Sequence, residues 1–410
     1  MKNTRQLQQK LFTTIVILII ARLGIFVPIP GVDHNAFDSS VRNNEIINFL
    51  NIFSGGGFST IGIFALGIVP YINASLIIQT LINIIPELKN LHKEEGIIGR
   101  QKITQLTRYI TLIWSILQSV GIAFWIKPYV FNWNNYFITD CIITLTTGSI
   151  ISMWFSEIIN EYGIGNGASL LIFQNIVSSI PKIMIQYMNN LYTKEQLFNF
   201  SLVFILFVII IMGTIIIQEG KRRIIILSVR QLGKIKKENP QHHIPLKLNQ
   251  GGIMPLVFAS ATLPLPSYIS QIIPNTIIKK VCSLFLPNTF LYLPCLCLLI
   301  ILFSYIYSSL ILNPEDIGNN LKKIGASIPN IRPGIDTTSY LNKILNKLTF
   351  LGSIFLFTLG ILPSTISQIA NINSFKGLGI TSLIILVSVS IDTAKQIQTY
   401  IISQKYDSMI

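Results

Sequence analysis

FLNIFSGGGFSTIGIFALGIVPYINASLIIQTLINII, residues 49–85, carries two features that decide how this chain folds. The second part, 64–85, is an apolar run of the length a helix needs to cross a bilayer, about 20 residues. The first part, 49–63, is too apolar for a solvated loop and too rich in glycine and serine for a stable lipid-facing helix. Such a segment can fold back into a cavity without being held there firmly, which suits a movable stopper. The competing reading is an interfacial re-entrant loop with no gating role.

Working outward, nine further apolar spans accompany 64–85: 11–27, 109–126, 137–155, 164–180, 200–217, 252–273, 290–312, 350–369 and 378–391. They sort the basic residues by side. Outside the spans, one face carries 23 Lys and Arg and the other carries 7, while Arg22 alone lies inside a span. That asymmetry places both termini on the positive, cytoplasm-like side. Composition agrees, with 50% hydrophobic and 12% charged residues and a mean hydropathy of +0.59. The fold class is an all-α polytopic membrane protein. A net charge of +14 could suggest nucleic acid, yet the excess sits in loops on one face, where topology and anionic lipid already account for it. The first 10 residues are too short for a transit peptide, so no cleaved leader is expected.

Chemistry-bearing motifs are scarce. Cys295 and Cys297 lie inside an apolar span, Cys141 and Cys282 stand apart, and His34, His92, His242 and His243 lack metal-ligand spacing. The run from Gly163 to Gly167 lacks the preceding strand of a dinucleotide turn and reads instead as a tight connection into the fifth span. With no P-loop, nucleophile elbow or kinase signature, neither an enzyme nor a metal or cofactor site is expected.

Five spans per half is an odd number, so any duplication between the halves 1–190 and 191–410 would invert one of them and place a site at their interface. Pro70, with Asn73, Ser75 and Gln79, is expected to interrupt the second span, and Pro255, Pro264 and Pro266 the seventh. Two long loops, 218–250 with eight basic residues and two acids and 313–347 with five against three, face the positive side. A solvated loop is the simple reading of each; two on one face favour a docking surface for an acidic partner. Pro329, Pro333 and Gly334 place Arg332 at a loop tip.

The motifs RLGIFVPIPGVD (22–33), FSGGGFSTIGIFALGIVPYINAS (53–75), EYGIGNGASLLIF (161–173), EGKRRI (219–224) and NPEDIGNNLKKIGASIPNIRPG (313–334) resemble the SecY family of protein-translocase channel subunits. The resemblance covers essentially the whole chain; a short carboxyl tail and a compact first loop depart from many bacterial relatives. It implies a ten-helix clamshell of two inverted halves, hinged between spans five and six and opening between spans two and seven. It implies a pore ring of Ile68, Ile72, Ile172, Ile176, Val257 and Ile385, which isoleucine-rich spans would not single out by themselves. A ring of this kind seals by dewetting yet deforms around a passing side chain. The plug would be 49–63, with Phe53, Gly55, Gly56, Gly57, Phe58 and Ile61, and spans two, three, seven and eight would form a lateral gate. Asn73 and Gln118 are expected as paired gate amides, each contributing about 0.6 kcal/mol. Partner contacts fall to Lys221, Arg222, Arg223, Arg230, Lys236, Lys237 and Arg332.

The resemblance further implies unfolded precursors with signal sequences as cargo, release of apolar segments into membrane lipid, a SecA ATPase or translating ribosome as driver, a bracing SecE and a SecG-like subunit. An inverted-repeat secondary transporter is the alternative, although no span carries a central carboxylate of the kind coupled transporters use. A small-ion channel would need a charged or carbonyl-rich filter sequence, which is absent. The Ile, Asn and Lys bias favours a plastid thylakoid membrane, with a bacterial inner membrane as the alternative.

Overall fold

The structure, a computed structural model, describes residues 2–34, 36–37, 54–58, 60–85, 87–88, 91, 96–188, 194–228, 243–252, 254–262, 291–369 and 380–407. Among these the helices are α1 (Lys2–Ile25), α2 (Val69–Ile84), α3 (Gly96–Ile126), α4 (Asn135–Tyr162), α5 (Gly167–Met188) and α6 (Lys194–Glu219). They continue with α7 (Met254–Thr262), α8 (Tyr292–Ile311), α9 (Pro314–Ile324), α10 (Ile335–Ile369) and α11 (Ile380–Asp407). Four helices in the described residues are long and apolar enough to cross a membrane, over Leu7–Ile25, Ile98–Tyr129, Asn135–Tyr162 and Pro294–Ile324.

Several helices depart from the apolar spans in an instructive way. α3 and α10 begin well before their spans at 109 and 350, and α11 runs past 391 to Asp407. Hydropathy marks where a helix meets lipid, whereas hydrogen bonding carries the helix onward into water. Pro70 does not break the second span. Residues 60–68 form successive turns, with Gly67 at φ +53, and Pro70 enters the first turn of α2, where its missing N–H costs nothing. Pro255 likewise sits in the first turn of α7, while Pro264 and Pro266 lie outside the described residues.

Packing runs in two groups. α1 to α5 contact one another, as do α6 to α11, and the groups meet where α2 touches α7 and α8 and where α5 touches α11. A central apolar cluster fills this junction, with members from α1, α2, α4, α5, α7, α8, α10 and α11.

The two basic loops form one body. Strand β1 (Lys221–Ile225) pairs antiparallel with β3 (His243–Lys247), and β2 (Leu227–Ser228) pairs with β4 (Ala326–Ser327) from the other loop. Ile224, Leu246 and Ile328 pack with Leu341, Ile344, Leu345 and Leu348 on the extension of α10 in a separate small core. α9 is closed at both ends: the Asn313 side chain accepts from Glu315 N–H, and Gly325 adopts φ +68 after Lys322 and Lys323.

Candidate functional site

Five of the six expected ring residues fall in the central buried cluster, and Ile72, Ile172 and Ile385 among them line one cavity. Ile68 and Ile72 lie one turn apart on α2, Ile172 and Ile176 one turn apart on α5, and Ile385 on α11; all are at most 5% exposed within the central cluster. Val257 sits on α7 between buried Leu256 and Phe258, and its side chain lies outside the described residues. Isoleucine suits such a junction because it fills the gap between four helices without a polar group that would fix water or an ion there.

A cavity of about 130 Å³ opens on this ring, with Ile72, Ile172 and Ile385 at one end. Its walls become polar away from them: Ser75 and Gln79 on α2, Asn160 on α4, Ser169 at the start of α5 and Tyr307 on α8. The volume admits a few waters.

The glycine-rich segment lies against α1 and α5, beside Arg22 and Asn175. Residues 54–58 and 60–63 turn back on themselves through Phe58 N to Ser54 Oγ (2.9 Å), Gly57 N to Ser54 O (3.2 Å) and Gly62 N to Gly57 O (2.9 Å). The segment is pinned to the chain leaving α1 by Ile29 N to Ile61 O and Ile63 N to Val27 O, each 3.0 Å. Phe58 and Ile61 are 5% and 1% exposed, in a core shared with Phe37, Ile122 and Ile126. Ile61 takes a φ of +43, a conformation that strains a β-branched residue. Phe53 lies outside the described residues.

The glycines have a more specific task than flexibility. Gly55 and Gly56 adopt φ +65 and +92, and a Cβ at Gly55 would lie 2.7 Å from Asn175 Oδ1 and 2.9 Å from Arg22 Nη1. Arg22 Nη1 donates to Gly55 O at 2.5 Å. Asn175 directly precedes the ring residue Ile176, so the segment touches the ring's own helix. Arg22 and Asn175 escaped the sequence reading of the site. Arg22 carried a signal, being the one basic residue within a span; Asn175 carried none.

Among the described residues, which leave out much of span seven, the expected gate amides Asn73 and Gln118 find no pairing partner. Asn73 and Gln118 are buried at 3% and 6%, but both polar atoms of the Asn73 amide and the Gln118 Oε1 lack a hydrogen-bond partner. Ser304 on α8 also keeps an unpartnered buried hydroxyl.

Lys221, Arg222 and Arg223 are exposed on β1, and Arg332 is exposed on the loop before α10. Thr337 Oγ1 donates to Arg332 O at 2.8 Å from a nearly buried position, which fixes the backbone and leaves the guanidinium outside. The β2–β4 pairing joins the supports of these residues. Arg230, Lys236 and Lys237 lie outside the described residues.

Comparison with known proteins accords with this arrangement. The SecY family model matches residues 62–394. "Protein translocase subunit SecY" of Porphyra purpurea is 58% identical over 409 residues, covering 100% of both chains. The Synechocystis protein of that name is 47% identical over 422 residues, covering 100% of this chain and 96% of its own. A solved structure described as that of a protein conducting channel superposes with a TM-score of 0.66 at 16% identity, over 97% of this chain and 93% of that one. The buried isoleucines, the cavity beside them and the glycine-rich turns thus sit in a fold with known relatives, and the chain belongs to the SecY family.

Proposed function

We propose that this chain is the protein-conducting subunit of a translocase, moving unfolded polypeptide across the membrane and releasing apolar segments sideways into lipid. The observation that carries this reading is the buried isoleucine junction on α2, α5 and α11, with a partly polar cavity lined by Ile72, Ile172 and Ile385 and the glycine-rich turns packed against α5 nearby. An apolar constriction with no fixed polar partner offers no binding site to a solute, which disfavours a transporter, but it can yield to side chains of any size. Ile68, Ile72, Ile172, Ile176, Val257 and Ile385 form the ring in this account. Residues 49–63 form the plug, and Asn73 and Gln118 belong to a gate between α2 and α3 on one side and α7 and α8 on the other. The halves 1–190 and 191–410 are the two inverted parts of the clamshell.

The cavity and the basic body face the cytoplasm or stroma, in a thylakoid membrane by the plastid-like composition. There the joined loops dock an acidic driving partner, a SecA ATPase or a translating ribosome, while SecE and a SecG-like subunit brace the helices. The chain has no catalytic task of its own in this scheme. Reconstitution into liposomes with a motor and a precursor tests the reading: signal-dependent, protease-protected import supports it, and uptake of small solutes without import of precursor would replace it with the transporter.

A further inference from the structure

Arg22 is a cation inside an apolar helix, an expensive placement that normally marks a functional group. Among the described residues, no acid pairs with its charge. Among the described residues, its one hydrogen-bond acceptor is a neutral peptide carbonyl, Gly55 O, and the Phe26 ring lies 4.9 Å from the guanidinium carbon. With the ring covering one side, the N–H edge is presented toward residues 54–60. Asn175 approaches the same glycine from α5 with an amide that can both donate and accept. Arg22 therefore holds main chain, and the Asn175 amide lies against the same glycine, immediately beside Ile176.

We propose that Arg22 and Asn175 form a binding subsite for peptide backbone, filled by Gly55 while the channel is closed and by the passing polypeptide once residues 54–60 have moved away. The inference rests on the channel reading above. The chemistry suits a substrate of any sequence, because a peptide carbonyl recurs in every polypeptide, about every 3.3–3.6 Å along an extended chain. A neutral acceptor is also exchanged more readily than a carboxylate, so successive carbonyls can replace one another as the chain advances. The vacated guanidinium is never left unpaired during transport, which removes a penalty that would otherwise oppose opening. Asn175 gives the moving backbone a second partner on the opposite wall.

The test uses the translocase complex in liposomes, with a fluorescent unfolded precursor and potassium flux as separate readouts. Four forms are compared: the parent, Arg22→Gln, a deletion of residues 54–60, and the two changes combined. The deletion leaves the Ile61 and Ile63 anchors to Ile29 and Val27 in place. Arg22→Gln alone should raise closed-state potassium leak about tenfold, and in the deletion background it should slow precursor passage several-fold, since a charge-assisted hydrogen bond is lost in each state. Arg22→Lys should restore only part of either, and Asn175→Ala should reproduce the pattern more weakly. If the deletion form passes precursor equally fast with and without Arg22→Gln, the arginine serves residues 54–60 alone and the subsite proposal is overturned. If the parent itself passes no precursor, the channel reading falls first and this inference falls with it.

Discussion

The ring of Phe58 lies 5.4 Å from that of Trp125, tilted by 31°, and ties the glycine-rich segment to the end of α3. Phe37 completes the group, with its ring 5.2 Å from Trp125 and 6.4 Å from Phe58. Besides its backbone bonds to Val27 and Ile29, the segment is thus held by Arg22 near Gly55 and by this aromatic seat at Phe58. A stopper held only by apolar filling would lack such a fixed resting place.

Phe58→Ala empties the seat. Aromatic pairs contribute about 0.5–1.5 kcal/mol beyond the burial of their surface. The segment should then leave the ring more often, raising closed-state conductance in planar bilayers while precursor transport persists. Conductance equal to the parent's would show that the contact does not hold the stopper.

Ile72→Asn with Ile385→Asn places two amides in the isoleucine junction. Dewetting requires an apolar wall, so the closed channel should conduct ions and should accept precursors with weaker signal segments. Single-channel recording reads the first effect and import of signal-defective precursors the second. An unchanged closed state would remove these residues from the constriction.

Arg332→Glu and Thr337→Ala separate surface charge from loop support. Arg332 is exposed, so reversing its charge should change stability by no more than about 0.5 kcal/mol while import falls. Thr337 is buried at 2% and holds the Arg332 carbonyl, so its loss should lower both the melting temperature and import. Normal import by Arg332→Glu would make that residue a solvated loop position only.

Gly148→Ala tests how closely α4 approaches the turns before α2. A Cβ there would meet Ile63 O at 2.0 Å, and backbone cannot rotate away as a side chain can. Overpacking of this kind costs about 1–3 kcal/mol, so the melting temperature in detergent should drop measurably. A variant as stable as the parent would mean that the connection is looser than described.

Much of this molecule is legible in its sequence, and the reasons for the rest are physical. The spans and the charge asymmetry are strong signals because lipid excludes polar groups over a fixed thickness. Helix ends were less legible: nothing apolar marks the start of α10 at Ile335, where turn chemistry and the small core around Leu341 decide. Pro70 read as a break, yet it is the first turn of a helix that starts late. Ring isoleucines cannot be told from lipid-facing ones by type alone, since Ile19 is 54% exposed and Ile72 only 5%. Family motifs singled them out. The joining of the two basic loops through β2 and β4 rests on a pairing of two residues with two, too short to show as a pattern.

The most direct measurement is site-specific photo-crosslinking from a precursor stalled in the membrane by a folded domain at its end. With the probe midway along the chain, adducts should form with α2, α5 and α11 at Ile72, Ile172 and Ile385, and fade when the stalled chain is released. Adducts confined to lipid or to outward-facing positions such as Ile19, Leu23 and Trp154 would contradict a path through the isoleucine ring.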